Sequence, residues 1–151
     1  MIRKSLAICV QAVLLLSSAF AQNDDKCPAQ VTRFEIRGGF EQRSQYALIY
    51  LENRGLVAIQ AIEYQFQAYD SERRRTRVRY YLDAGKVDGG LGKPIPPGKT
   101  RGLQGMVSQR LGILYGNWSS DGSDIKLNVI HFTDGSKWER KGWKDEPNPN
   151  Q

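Results

Sequence analysis

Five arginines crowd the stretch Arg73-Arg74-Arg75-Thr76-Arg77-Val78-Arg79, and their spacing decides what they can do. On a strand, alternate residues share a face, so Arg73, Arg75, Arg77 and Arg79 would project to one side. A row of guanidinium groups can grip phosphates, sulfates or carboxylates through paired hydrogen bonds. The competing reading is a solvated outer face, or an edge strand whose charge guards against aggregation. Charge runs are usually of that kind, so the second reading is the favoured one.

Trp118, Trp138 and Trp143 supply a second candidate surface. An aromatic face buries area while staying compatible with water, so such residues can form a platform for carbohydrate or peptide. Trp138 follows a turn and reads as core or hairpin packing, which leaves Trp118 and Trp143 as the exposed pair. Asn117-Trp118-Ser119 is also a glycosylation sequon, meaningful only in a eukaryotic secretory pathway.

Common catalytic designs lack their parts. His131 is the only histidine, whereas triads and zinc sites need several correctly placed groups. It reads as a partly exposed strand residue. Asp24 with Asp25, or Asp121 with Asp124, could bind calcium or share acid and base work. Asp121-Gly122-Ser123-Asp124 falls short of the ligand count of a calcium loop and reads as a turn. Asp70, Glu72 and Asp83 lie near the arginine run, and they are the carboxylates an enzyme built here would use. The stretch from Gly89 to Thr100 looks superficially like a phosphate loop, but that motif needs glycine five residues before Gly98, where Lys93 stands. Pro94, Pro96 and Pro97 also remove backbone donors that would cradle phosphate. No cofactor or metal is implied.

These residues sit in a chain that opens like an exported one. Arg3 and Lys4 precede an apolar stretch from Leu6 to Leu16, and Ala19-Phe20-Ala21 supplies an A-x-A cleavage site. Those are the three parts of a secretory signal, with cleavage expected after Ala21. A membrane anchor would need about 20 apolar residues, and Gln11, Ser17 and Ser18 interrupt or close the run. The mature chain is therefore expected to carry no transmembrane anchor and to be secreted or periplasmic. Residues 22–151 suit one compact domain. Losing Arg3 and Lys4 takes Lys plus Arg from 22 to 20 against 16 acidic residues, so the mature charge is +4. Mild basicity of this size names no partner, and export makes nucleic acid an unsuitable one. Cys9 leaves with the signal, so Cys27 is the one mature thiol and no intrachain disulfide can form. It is expected in a linker, free or paired between molecules.

The expected folded unit is 31–143, between a polar leader at 22–30 and a flexible tail at 144–151. Alternation of apolar and polar residues, the period of a half-buried strand, dominates it. Phe34 and Ile36 alternate with charged neighbours, and Tyr46 to Leu51 is apolar on both faces, as for a strand covered on both sides. Ile62, Tyr64, Phe66 and Ala68 alternate, as do Val78, Tyr80 and Leu82; Ile125 to Phe132 and Lys137 to Arg140 complete the set. Ile59, Ile62, Phe66 and Tyr69 also fit a helical stripe, but aromatic and branched content favours a strand. Asn53-Arg54-Gly55 reads as a hairpin turn, Asp134-Gly135 as a type I′ hairpin, and Pro96-Pro97-Gly98 as a rigid turn into a strand near Leu103 to Val107. Seven or so strands with such punctuation predict an all-β, antiparallel, immunoglobulin-like β-sandwich.

Leu48-Ile49-Tyr50-Leu51-Glu52-Asn53, Ile62 to Asp70, Pro97-Gly98 and Phe132-Thr133-Asp134-Gly135-Ser136-Lys137-Trp138 carry a resemblance over about 45–140. The chain resembles bacterial exported immunoglobulin-like modules of the FxLYD-like type. That resemblance implies fold and compartment, and it brings no shared catalytic residues. The expectation is an exported, non-enzymatic binding or structural module whose partner is an unknown protein or envelope component. Two alternatives stand beside it: an exported enzyme using the carboxylates near the arginines, and a binder of polyanions such as envelope glycan or lipid headgroup.

Overall fold

Alternating branched and aromatic residues resolve into seven strands in a computed structural model that describes residues 26–39, 44–84, 92–107 and 113–147. They are β1 (Ala29–Gly39), β2 (Ser44–Asn53), β3 (Ile59–Tyr69), β4 (Arg75–Asp83), β5 (Thr100–Met106), β6 (Lys126–Phe132) and β7 (Lys137–Glu139). The expected signal at 1–21, Asp24 and Asp25, and part of the glycine stretch at 89–91 lie outside the described residues. No helix among the described residues is long and apolar enough to cross a membrane.

The strands form two antiparallel sheets, β1-β2-β5 and β4-β3-β6-β7. The all-β sandwich expected from the alternation is therefore present. Its order is the immunoglobulin arrangement with the fourth strand moved from the β5 edge to the β3 edge of the other sheet. Inward residues interleave between the sheets, as the pleat requires. Ile49, Leu51, Ile62, Tyr64, Phe66, Val78 and Ile130 are essentially inaccessible. The Phe34 and Phe66 rings meet at 5.3 Å, and Tyr64 stacks along Phe66 at 6.3 Å. On the β4 side, the Tyr80 hydroxyl donates to the Val107 carbonyl and ties one sheet to the other. The segment that also fitted a helical stripe is β3: Ile62, Tyr64, Phe66 and Ala68 face in, while Glu63, Gln65, Gln67 and Tyr69 face out.

Three local expectations are corrected. First, β2 buries one face only; Tyr46, Leu48 and Tyr50 are half-exposed on the other, where Arg33 lies 5.4 Å over the Tyr50 ring. Second, Asn53-Arg54-Gly55 is a corner between sheets rather than a hairpin, because β2 and β3 belong to different sheets. Asn53 is fully buried there. Its Nδ2 donates to the carbonyls of Val57 and Ile95, each at 2.9 Å, and its Oδ1 accepts from Gly55 N at 2.9 Å. Third, only Gly135 has positive φ in the β6–β7 hairpin, so the turn is not type I′. Gly135 N donates to Phe132 O and Phe132 N to Ser136 O, which makes a three-residue loop ending in a left-handed glycine. The Pro96-Pro97-Gly98 turn matches its expectation, with Gly98 at φ 68 in the position where a type II turn needs it.

Both ends of the folded unit extend further than expected. β1 starts at Ala29 inside the expected leader, and Cys27 packs against the core. Past Glu139, a short 3₁₀ turn at Trp143–Asp145 leads the chain across the outer face of the four-stranded sheet, where Glu146 is held by side chains of β3, β4 and the stretch after β7.

Candidate functional site

The arginine run does not act as one row. Arg73 precedes β4 in a turn at φ 60, while Arg75, Arg77 and Arg79 share the outer face of β4. What lies above them differs.

Arg79 is turned inside the molecule, with Nε and Nη2 both engaged. Its Nε donates to Gln65 Oε1 at 3.0 Å, and its Nη2 donates to the carbonyls of Trp143 and Glu146 at 3.1 and 2.8 Å. Its guanidinium lies 5.5 Å over the Trp143 ring. Arg77 points to the same segment, with Nη1 3.3 Å from Glu146 Oε2 and donating to Pro147 O at 3.4 Å. Arg140 completes the clamp by donating to Glu146 Oε1 at 2.7 Å and to Asn128 Oδ1 at 2.8 Å. Gln65 and Asn128, both buried, link these groups. The planar fork of arginine suits this task, since one side chain meets several acceptors at once.

The hydrogen bond from Arg140, aided by the one from Gln65, pulls the Glu146 carboxyl down to about 2. An ordinary glutamate titrates near 4.3, as it would in the unfolded chain. A depressed pKa stabilises the fold above the unfolded value and loses that contribution as pH falls toward the folded one. The clamp is therefore complete above about pH 4.3 and is lost toward about pH 2. Carboxyl-carbon NMR is expected to show Glu146 titrating near the lower value; a midpoint above 4 contradicts the clamp.

Arg73 and Arg75 are the other half of the run. Both are exposed, and among the described residues neither guanidinium has an ion-pair partner. Arg74 between them pairs instead with Asp70 and Glu72. Asp70 builds the turn that holds them: its Oδ1 accepts from Glu72 N and Arg74 N at 2.9 Å, and its carbonyl accepts from Arg73 N. Hydrogen bonding from the Arg74 backbone, with the Arg74 guanidinium, lowers the Asp70 pKa. This carboxylate closes a turn, and Asp83 similarly accepts from Gln60. Arg73 meanwhile occupies left-handed backbone, which costs a side-chain-bearing residue roughly 1 kcal/mol and which glycine adopts freely.

Beside Arg75, β3 ends in Tyr69, and Tyr69 pairs on its other side with Tyr115 through two backbone hydrogen bonds of 2.7 and 2.8 Å. Paired residues of antiparallel strands project to one face, about 5 Å apart at Cβ. Arg75, Tyr69 and Tyr115 thus form a line across the outer face, with the tyrosines 47% and 50% exposed. That exposure leaves two large aromatic side chains available to a partner. Neither tyrosine stood out in the sequence. The usable signal was Tyr69 itself, an aromatic at the outward position of a strand whose other outward residues there are Glu63, Gln65 and Gln67.

The two candidate tryptophans are not a pair. Trp118 lies against Phe34 and Phe66, at 6.3 and 5.8 Å, and donates its Nε1–H to Gln67 O at 2.8 Å. Gly116 makes room for it, since a Cβ there would meet the indole at 2.6 Å. Trp143 lies on the outer face, under Arg79 and Lys144, with Nε1 donating to Glu139. Trp138 is in the core.

Two clefts follow from this division. One of about 540 Å³ is lined by Glu63, Arg79, Tyr81, Asn128, Trp143 and Lys144, but its charged side chains already have hydrogen-bond or ion-pair partners: Arg79 as above, Glu63 hydrogen-bonded with His131 at 3.0 Å, Lys144 with Glu139. The other, of about 180 Å³, is lined by Gln67, Tyr69, Arg75, Asn117, Trp118 and Asp124. It contains the uncommitted arginine. The Asp121–Asp124 loop turns its carboxylates on its own donors, Asp121 on Ser119 and Ser123 and Asp124 on Ser119 N. Burial pushes the Cys27 thiol pKa up, which disfavours the thiolate that exchange chemistry requires.

No family model matches the chain, and no curated protein does. A solved X-ray structure of a hypothetical protein from Peptoclostridium difficile 630 is similar at 13% identity, with a TM-score of 0.46, over 80% of this chain and 90% of that one.

Proposed function

We propose that this chain is an exported, non-enzymatic binding module of the periplasm or extracellular space, of the immunoglobulin-like kind its motifs resemble. The observation that carries the reading is the cluster of Arg73, Arg75, Tyr69 and Tyr115, two cations without ion partners among the described residues beside two half-exposed aromatics. Arginine and tyrosine are the side chains that most often anchor partners, because each offers large contact area with directed polar groups. The leader sequence supports the compartment. The carboxylates nearest the arginines support binding over turnover, because Asp70 and Asp83 are occupied in holding the backbone and a neighbouring side chain.

The purified mature domain is expected to co-sediment with isolated bacterial envelopes, and Tyr69→Ala with Tyr115→Ala is expected to remove most of that association. A hydrolytic or transfer activity that disappears on substituting one polar residue would overturn the reading.

A further inference from the structure

We propose that the partner is an acidic glycan, gripped at the Arg73–Arg75 end of β4 with its sugar rings laid on Tyr69 and Tyr115. This rests on the binding-module reading above and names its ligand class. The sign of the ligand follows from the charges. Arg73 and Arg75 are exposed without ion-pair partners among the described residues, whereas Arg77 is ion-paired with Glu146 and Arg79 is half-buried and donates to the carbonyls of Trp143 and Glu146. An anion approaching β4 therefore meets available guanidinium groups at this end.

The polymer character follows from size. A cleft of about 180 Å³ is smaller than the roughly 300 Å³ at which sites begin to enclose a free small molecule, so it suits one unit of a chain that continues past it. The line Arg75, Tyr69, Tyr115 gives that chain a track across the sheet. A peptide would be expected to add as a strand along the free edge of β4, away from the tyrosines, which is the outcome the polyglutamate control reads. At the tyrosines themselves, Tyr69 exchanges both its backbone bonds with Tyr115, and the Gln67 carbonyl takes the Trp118 indole N–H. What remains at the cleft is the Tyr69 ring, the Arg75 guanidinium, the Gln67 and Asn117 side chains and the Asp124 carboxylate, which is turned on Ser119 N; Arg73 and Tyr115 lie outside its lining. Aromatic planes with adjacent hydrogen-bonding groups are the chemistry that recognises a pyranose, apolar on its C–H face and polar around its rim.

The backbone at Arg73 is a second, independent pointer. The turn puts left-handed φ on a residue where glycine would be relaxed, and strain kept at an exposed position is expected where the side chain has work to do. Arg73→Gly separates the two roles: a structural arginine would leave a weaker fold, whereas a binding arginine leaves a fold as stable or more so with a weaker grip.

The test immobilises polygalacturonate and alginate, with fully methyl-esterified polygalacturonate, polyglutamate and phosphatidylglycerol vesicles as controls. The mature domain is expected to be retained on at least one of the uronate polymers, with retention falling steeply with salt, and to pass the ester. Arg73→Ala with Arg75→Ala, and Tyr69→Ala with Tyr115→Ala, are each expected to weaken retention at least about tenfold. Arg73→Gly is expected to weaken it while Tm is unchanged or raised. Retention on vesicles or polyglutamate alone, or retention unaffected by these variants, overturns the glycan assignment. Passage through both uronate columns also overturns it. The binding-module reading falls only if envelope co-sedimentation is lacking as well.

Discussion

Asn53→Ala is expected to lower the free energy of unfolding by about 2–3 kcal/mol. The residue removes no charge and fills little volume, so the effect comes from what it leaves behind. Val57 O loses its side-chain donor and Gly55 N its acceptor, while Ile95 O keeps the Ile59 N–H, in a corner where Asn53 and Ile95 are both sealed from water. A buried peptide group without a partner costs about 1–3 kcal/mol. The backbone of Asn53 is also tied to the Pro97-Gly98 turn, because its N–H donates to Lys99 O and its carbonyl accepts from Gly98 N. The side chain thus holds the crossover between sheets against the segment entering β5. Tm in a thermal scan is expected to fall by on the order of 10 °C. A change below 1 kcal/mol would mean that the corner relaxes and recruits water.

Arg79→Ala is expected to cost about 2 kcal/mol and to release the C-terminal segment while leaving the sandwich folded. Three hydrogen bonds and the contact with the Trp143 ring go together. Gln65 loses a donor while keeping Asn128 and Glu146. Release is read as faster tryptic cleavage after Lys141 and Lys144 and as a red shift of Trp143 emission. Arg79→Lys is expected to recover little, because a single ammonium cannot reach Gln65 and two separate carbonyls in the same geometry. Unchanged cleavage would show that Glu146 with Arg77 and Arg140 is sufficient to hold the segment.

Much of the scaffold was legible because the period of two is local. Phe34 and Ile36, Ile62 to Ala68 and Val78 to Leu82 announce their own inward faces, and Gly98 and Gly135 mark turns that exist. What was not legible is everything decided by a distant segment. Arg75 and Arg79 are equivalent in the sequence, yet Trp143 and Glu146, more than sixty residues later, settle which of them is committed. The tail reads as flexible because its composition is polar, but the Glu146 carboxylate meets the guanidinium groups of Arg77 and Arg140 and its carbonyl that of Arg79, an arrangement only the folded sheet brings together. Tyr69 and Tyr115 become neighbours through one bridge that no repeat or motif foretells. The Asn53 turn differs from its expectation for a related reason: a turn motif specifies a local reversal, not whether the next strand pairs with the last one or crosses to the other sheet.

One arginine run is divided between two tasks, Arg77 and Arg79 holding the C-terminal segment and Arg73 and Arg75 facing outward. That division is tested most directly by measuring both Tm and envelope association on two double variants of the mature domain. Arg73→Ala with Arg75→Ala is expected to keep the wild-type Tm and lose association. Arg77→Ala with Arg79→Ala is expected to lower Tm and, at a temperature where it is still folded, to keep association. The opposite assignment of the two effects, or equal effects from both pairs, would contradict the division.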